Sequence, residues 1–81
     1  MSDIKAYKDT ILLLPNAWPS EVTGDIAPSY LTGAVYSVGP GVKGIKEGMT
    51  VYFRPYSGTE MACNGMRLLA IDDYAVIAYE D

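Results

Sequence analysis

Four short apolar runs between Ile45 and Tyr79 constrain the fold of this chain more than any other feature of its sequence. The residues that separate these runs are typical of tight turns and include Pro, Gly, Asn and Asp. None of the runs is long enough for an ordinary helix, which needs roughly ten residues or more. This half of the chain is therefore predicted to be a close succession of β-strands.

Two further apolar segments nearer the N-terminus bring the predicted strands to about six. In chain order, the predicted strands are residues 10–14, 31–38, 50–53, 59–63, 66–71 and 74–79. The pair Asn64-Gly65 is the strongest turn signal, because Asn and Gly best tolerate the positive φ angles of a type I′ hairpin turn. Short strands with frequent turns indicate an all-β fold, either a compact antiparallel barrel or a sandwich.

The length and composition limit how such a fold can be supported. The chain has 81 residues, which is room for a single domain over residues 1–81. Cys63 is the one cysteine and there is no histidine, which excludes an internal disulfide and the usual ligand set of a structural zinc site. Oligomerisation is the common support that remains for a small core.

Charge and hydropathy narrow the range of partners. The formal net charge is −4 without any basic block, so nucleic acid is not an expected partner. No apolar run is long enough to cross a bilayer, and no membrane partner is expected. The single cysteine and the polar start of the chain, without a signal-peptide core, predict a cytoplasmic protein.

No catalytic constellation is recognisable in the sequence. The commonest general base, histidine, is missing, and we interpret Cys63 as a small apolar residue. Asp72 and Asp73 are adjacent in a predicted turn, where a solvated corner is the simpler interpretation. The glycines of residues 39–44 lack the GK[ST] sequence and the following helix of a phosphate loop. We expect no catalytic residue, metal or cofactor, and a function in binding or assembly.

Residues 16–30 form the longest stretch without hydrophobic periodicity, and their prolines and glycine predict a loop. A loop of this length in so small a domain is usually functional or disordered. Trp18 and Tyr30 within it could cover the end of the core. Alternatively, apolar residues such as Ile26 could serve as a docking element on a mobile loop.

Several segments of the chain share their residue pattern and order with one protein family. Residues 33–41 read G-A-V-Y-S-V-G-P-G and resemble the G-x-V-x-x-V-G-x-G segment of co-chaperonins of the GroES/chaperonin-10 family. Residues 45–53 are similar to its V-K-x-G-D-x-V-x-F segment, and residues 56–60 to its Y-x-G-T-E segment. Residues 64–78 and 8–13 resemble its D-G-x-x-Y-L-I-L-x-E-x-D-I-L-A and L-x-D-R-V-L-V patterns. The shared order and spacing make the resemblance specific.

The resemblance implies a small Greek-key, partly open β-barrel that assembles into a ring, usually a heptamer. Such a ring caps a GroEL-type chaperonin in the presence of ATP, which the chaperonin binds, and closes the folding chamber. In the family, the first strand of one subunit pairs with the last strand of its neighbour, which would protect both strand edges. The implied interface residues are Ile4, Ala6, Tyr7, Ile11, Val76, Ile77, Ala78 and Tyr79.

The family's loop between its first two strands carries a G-G-I-x-L segment that folds onto the chaperonin's apical domain. Ile26 matches the isoleucine of that segment, whereas Asp25 stands in place of a glycine. Ala27 and Pro28 stand in place of larger apolar residues. The implied chaperonin-binding residues are Val22, Gly24, Asp25, Ile26, Ala27 and Pro28.

The family also inserts a roof hairpin between the positions of Gly39 and Ile45, where this chain has only residues 40–44. The resemblance therefore predicts a ring with an open top. Brevity and divergence of this kind suit a bacteriophage protein acting in the host cytoplasm. We hypothesise that origin, and recovery of the gene from a bacterial chromosome beside a chaperonin gene would count against it.

A second interpretation stays open from the residues themselves. The chain could be a small β-barrel adaptor, or a phage structural module, without a chaperonin partner. The two interpretations differ in the expected assembly state, because only the lid needs a ring.

Overall fold

Six antiparallel strands form one sheet in the computed structural model, which describes residues 4–16, 18, 30–55, 58–63 and 65–80. The strands are β1 (Thr10–Pro15), β2 (Leu31–Val38), β3 (Thr50–Phe53), β4 (Thr59–Cys63), β5 (Met66–Asp72) and β6 (Val76–Glu80). A 3₁₀ turn, Asp73–Ala75, connects β5 to β6. The prediction of an all-β chain is confirmed.

The order of strands across the sheet is β4-β5-β1-β2-β3-β6. The central strand β1 pairs on both sides, and Ile11 aligns with Val38 of β2 and Ile71 of β5. Within the part of the chain that the structure describes, β4 pairs with β5 alone and β6 with β3 alone. The described sheet is not closed into a barrel, because closure would need pairing between these two edge strands.

The main hydrophobic core follows from the alternation of side chains along each strand. Leu12 and Leu68 are buried as well, but they lie outside this main cluster. In β2, Leu31 and Val35 are buried whereas Ala34 between them is exposed. Ile45 and Met49, which precede β3, also belong to the core. The largest fully buried side chains are Phe53, Ile11, Leu13, Leu68, Leu69, Ile71 and Val51.

The turn that follows β2 lies directly against the segment that precedes β1. Gly39 N donates a hydrogen bond to Thr10 O (2.9 Å), and Gly41 N donates one to Lys8 O (2.9 Å). A Cβ atom on Gly39 would collide with the carbonyl oxygen of Lys8. Close approach of two backbone segments therefore explains Gly39.

Phe53→Ala tests the importance of this core. The Phe53 side chain is fully buried, so its truncation should lower the free energy of unfolding by about 3–5 kcal/mol. Tyr74→Ala is the control, because Tyr74 is 77% exposed and its loss should have an effect below about 1 kcal/mol. Urea unfolding, followed by the fluorescence of the single tryptophan, measures both. Equal effects of the two substitutions would contradict the assignment of the core.

Candidate functional site

The predicted interface residues of β6 lie along an unpaired edge of the described sheet. Ile77 is 54% exposed and Tyr79 is 52% exposed, and Ala78 between them is exposed as well. Tyr79 aligns with the fully buried Val51 of β3, so it lies on the core face of the sheet at its outer border. This edge offers apolar side chains together with backbone groups that can accept another strand.

The predicted N-terminal contact residues precede β1 and belong to none of the strands. Ile4 and Ala6 are half-buried, whereas Tyr7 is 72% exposed. Ala6 N donates a hydrogen bond to Ser37 Oγ (3.1 Å), which holds this segment near β2. Ile4 also lines an open cavity of about 350 Å³ beside Ser37. Residues 4–7 are thus held against β2 of the same chain without being part of the sheet.

Ile11 differs from the other predicted interface residues. Its side chain is fully buried in the chain's own core, and β1 has paired neighbours on both sides. A neighbouring subunit therefore has no access to it in this fold. The residues that stay available for a subunit contact are Ile4, Ala6, Tyr7, Val76, Ile77, Ala78 and Tyr79.

The predicted chaperonin-binding loop leaves the sheet from the end of the β1–β2 hairpin. Asn16 N donates to Thr32 O (2.8 Å), and Asn16 Nδ2 donates to Thr32 Oγ1 (2.6 Å). These two bonds close the stem of the loop. The predicted contact residues lie outside the described residues; they are Val22, Gly24, Asp25, Ile26, Ala27 and Pro28.

Trp18 lies just beyond this stem and packs, half-buried, against the hydrophobic core. For Trp18, this confirms the interpretation that Trp18 and Tyr30 cover the core. The guanidinium carbon of Arg67 lies 3.9 Å from the centre of the indole ring of Trp18. Arg67 Nη2 also contacts Glu60 Oε1 at 2.7 Å, so a carboxylate of β4 orients the cation above Trp18.

Tyr30 lies at the other end of the loop and is 49% exposed. Its ring packs against that of Tyr52, with a centroid distance of 5.4 Å and an interplanar angle of 56°. Tyr52 Oη donates a hydrogen bond to Glu80 Oε1 (2.5 Å). This bond raises the pKa of the Tyr52 hydroxyl above its ordinary value of 10.0.

The raised pKa of Tyr52 predicts a pH effect on stability. Because the folded chain holds this proton more tightly, the stabilisation is fully present below pH 10.0 and is lost as the pH rises through the raised pKa. The Tyr74 hydroxyl has a raised pKa for the same reason, through its hydrogen bond to Asp72. A Tyr52→Phe, Tyr74→Phe double variant should lose less stability than the parent above pH 10.0. Thermal unfolding of both proteins across the alkaline range measures the difference. The prediction would be contradicted if the unfolding temperatures of the parent and the double variant fell in parallel as the pH rises.

A shallow groove of about 420 Å³ lies along the β4–β5 hairpin. Its lining is mostly apolar and consists of Glu60, Met61, Ala62, Gly65, Met66 and Arg67. Flexible methionine side chains adapt well to apolar ligands. The groove is adjacent to the Trp18 contact, because Arg67 belongs to both.

Among residues 4–16, 18, 30–55, 58–63 and 65–80, no group of three or more His, Cys, Asp or Glu could hold a metal ion. Over the same ranges, no helix is long and apolar enough to cross a membrane. What the described geometry offers is binding surfaces: a strand edge, an anchored loop stem and a groove.

No protein-family model matches the sequence, and no curated protein matches it. The functional interpretation therefore depends on the residues and on the geometry above.

Proposed function

We propose that this chain is a co-chaperonin subunit of the GroES/chaperonin-10 type, which forms a ring and caps a GroEL-type chaperonin. The observation that carries the proposal is the unpaired edge of β6 in the described sheet, with Ile77 and Tyr79 about half exposed. An isolated subunit with such an edge is prone to uncontrolled pairing. Assembly through this edge would remove that liability.

The ring contact joins β6 of one subunit to residues 4–7 of the next. The two surfaces are different, so the contact is heterologous, and repeated heterologous contacts close into a ring when the rotation fits. The added segment extends the sheet beyond β6 and completes a partly open Greek-key barrel. We propose seven subunits, as in the family that the sequence resembles.

The loop of residues 16–30 is the docking element for the chaperonin. A flexible segment loses conformational entropy when it binds, so one loop alone binds weakly. Several loops on one ring act together and raise the avidity far above the affinity of a single loop. Ile26 is the main contact, with Val22, Ala27 and Pro28 beside it.

The chain has no chemistry of its own in this proposal. ATP is bound and hydrolysed by the chaperonin, and the ring closes the chamber in which other proteins fold. The short turn of residues 40–44 leaves the top of the ring open. The compartment is the cytoplasm, that of the host if a phage encodes the chain.

The mass of the native assembly tests the ring. The lid proposal predicts a particle of about seven subunits of 8.8 kDa each. A stable monomer at micromolar concentration would contradict the proposal of a ring-shaped lid and favour the interpretation as an adaptor. One observation supports that alternative, since the groove beside Met61 and Met66 suits an apolar peptide.

A further inference from the structure

The open cavity between residues 4–5 and β2 has the size and composition of a small-molecule site. Its volume of about 350 Å³ lies at the lower end of the range of about 300–1,000 Å³ that is common for such sites. Its lining is mostly polar and consists of Ile4, Lys5, Tyr36, Ser37 and Glu47. All five residues belong to one chain, so the site does not depend on the function proposed above.

A β-bulge in β2 brings two consecutive side chains to this cavity. Consecutive residues of a regular strand point to opposite faces of the sheet. The register of β1 with β2 passes from Ser37 directly to Val35, so Tyr36 is the extra residue of the bulge. Bulges are common beside active sites, because they redirect a side chain. Here the half-buried Tyr36 and the buried Ser37 line the same cavity.

Ser37 supplies a buried hydroxyl to the wall of the cavity. The residue is only 6% exposed, and its Oγ accepts a hydrogen bond from Ala6 N (3.1 Å). A hydroxyl group that accepts one hydrogen bond still carries a proton that it can donate. A ligand with a hydrogen-bond acceptor can therefore bind to Ser37 without breaking the contact with Ala6.

Lys5 and Glu47 add opposite charges to the lining. Both side chains are exposed, and neither forms an ion pair with another of the described residues. The residue that follows each of them is anchored to β2. Ala6 is bonded to β2 as described above, and Gly48 N donates a hydrogen bond to Val35 O (3.0 Å). The two charged residues are therefore held beside one strand and stay available to a ligand.

The opposite charges select the class of ligand. A phosphate or a dicarboxylate would be attracted by Lys5 but repelled by Glu47, and a diamine would meet the reverse conflict. A zwitterion is attracted by both residues. Ile4 adds apolar surface that a hydrocarbon side chain of the ligand can cover.

We propose that this cavity binds a free α-amino acid with an apolar side chain. The carboxylate of the ligand contacts the Lys5 ammonium group and accepts the proton of the Ser37 hydroxyl. Its own ammonium group contacts the Glu47 carboxylate, and its side chain lies against Ile4. Because β2 already anchors the residues that carry these groups, little ordering of the chain accompanies binding.

L-Leucine and two of its derivatives test the class of ligand. Titration of the isotope-labelled full chain with L-leucine, followed by NMR, should shift the amide signals of Lys5, Ser37 and Gly48 in a saturable way, with a Kd of about 1 mM. L-Leucinamide lacks the carboxylate and N-acetyl-L-leucine lacks the ammonium group. Each should bind about ten-fold more weakly, as expected for the loss of a charged hydrogen bond. Equal affinity for all three compounds, or no saturable shift with L-leucine at millimolar concentration, would overturn the proposal.

Lys5→Gln and Glu47→Gln assign the two charged contacts. Lys5→Gln should remove the preference for L-leucine over L-leucinamide but keep the preference over N-acetyl-L-leucine, and Glu47→Gln should do the reverse. Both residues are exposed, so both variants should keep the urea midpoint of the parent. Lys43→Gln is the matched control, because Lys43 is an exposed lysine outside the cavity lining and its loss should keep both preferences. Retention of both preferences in Lys5→Gln or in Glu47→Gln would refute the proposed site.

Discussion

Tyr79→Lys is expected to convert the proposed ring into folded monomers. Tyr79 lies on the unpaired β6 edge, on the same face as the buried Val51, and is about half exposed in the single subunit. Lysine on an edge strand opposes pairing with another strand, because its ammonium group would lose water in the contact. The subunit itself should stay folded, since the added charge can reach solvent in the monomer.

The effect should be large because every interface of the ring carries the same substitution. An imperfectly satisfied polar group costs about 1–3 kcal/mol at each contact, and a closed ring repeats that cost at every subunit. Native mass measurement at micromolar concentration should show the monomer as the main species. The urea unfolding midpoint of the monomer checks that the fold is retained.

Ala62→Lys is the matched control at the opposite edge. Ala62 is exposed on β4, the second edge strand of the described sheet, and the ring contact proposed here does not use it. Its substitution should leave the ring intact. If Ala62→Lys dissociated the ring and Tyr79→Lys left it intact, the subunit contact would lie at the β4 edge and not at the β6 edge proposed here.

Ile26→Asp is expected to abolish chaperonin binding while the ring stays assembled. An apolar side chain that docks in a groove loses its buried contact when replaced by aspartate, and the carboxylate must also be desolvated. A cost of about 2 kcal/mol per loop becomes a loss of several orders of magnitude in avidity when several loops bind together. Ile26 lies outside the described residues, so this prediction depends on the sequence resemblance.

Ser20→Asp provides the control for Ile26→Asp. It adds the same charge to the same loop, at a position outside the predicted contacts. Binding of the Ser20→Asp ring should stay close to that of the parent. If the Ile26→Asp ring bound the chaperonin as tightly as the parent ring, the loop assignment would be wrong. If Ile26→Asp and Ser20→Asp weakened binding equally, the loss would be a general effect of charge.

The strands were predictable from the sequence because alternation and turn residues act locally. Residues 31–38 and 50–53 coincide with β2 and β3. The last strand is shorter than predicted, since residues 73–75 form a 3₁₀ turn although Tyr74 and Ala75 continue an apolar run. That turn is held by bonds from Arg54 to the carbonyl oxygens of Tyr74 (2.8 Å) and Ala75 (3.2 Å), which the local sequence does not indicate.

The candidate site was only partly predictable, because its contacts join residues far apart in the sequence. Trp18 stood out by its type, but its contact with Arg67 depends on how the loop and β5 meet in the sheet. Tyr52 and Glu80 likewise meet through the pairing of β3 with β6. Ile11 was predicted to be an interface residue, whereas β1 is paired on both sides and the Ile11 side chain is buried in the core.

Co-elution with a GroEL-type chaperonin tests the proposed co-chaperonin function. The parent chain is mixed with the chaperonin, with and without ATP, and the complex is separated by size. The proposed function predicts that the chain elutes with the chaperonin when ATP is present, in the amount of about one seven-membered ring per capped end. Elution of the chain apart from the chaperonin, with ATP present and the ring intact, would contradict it.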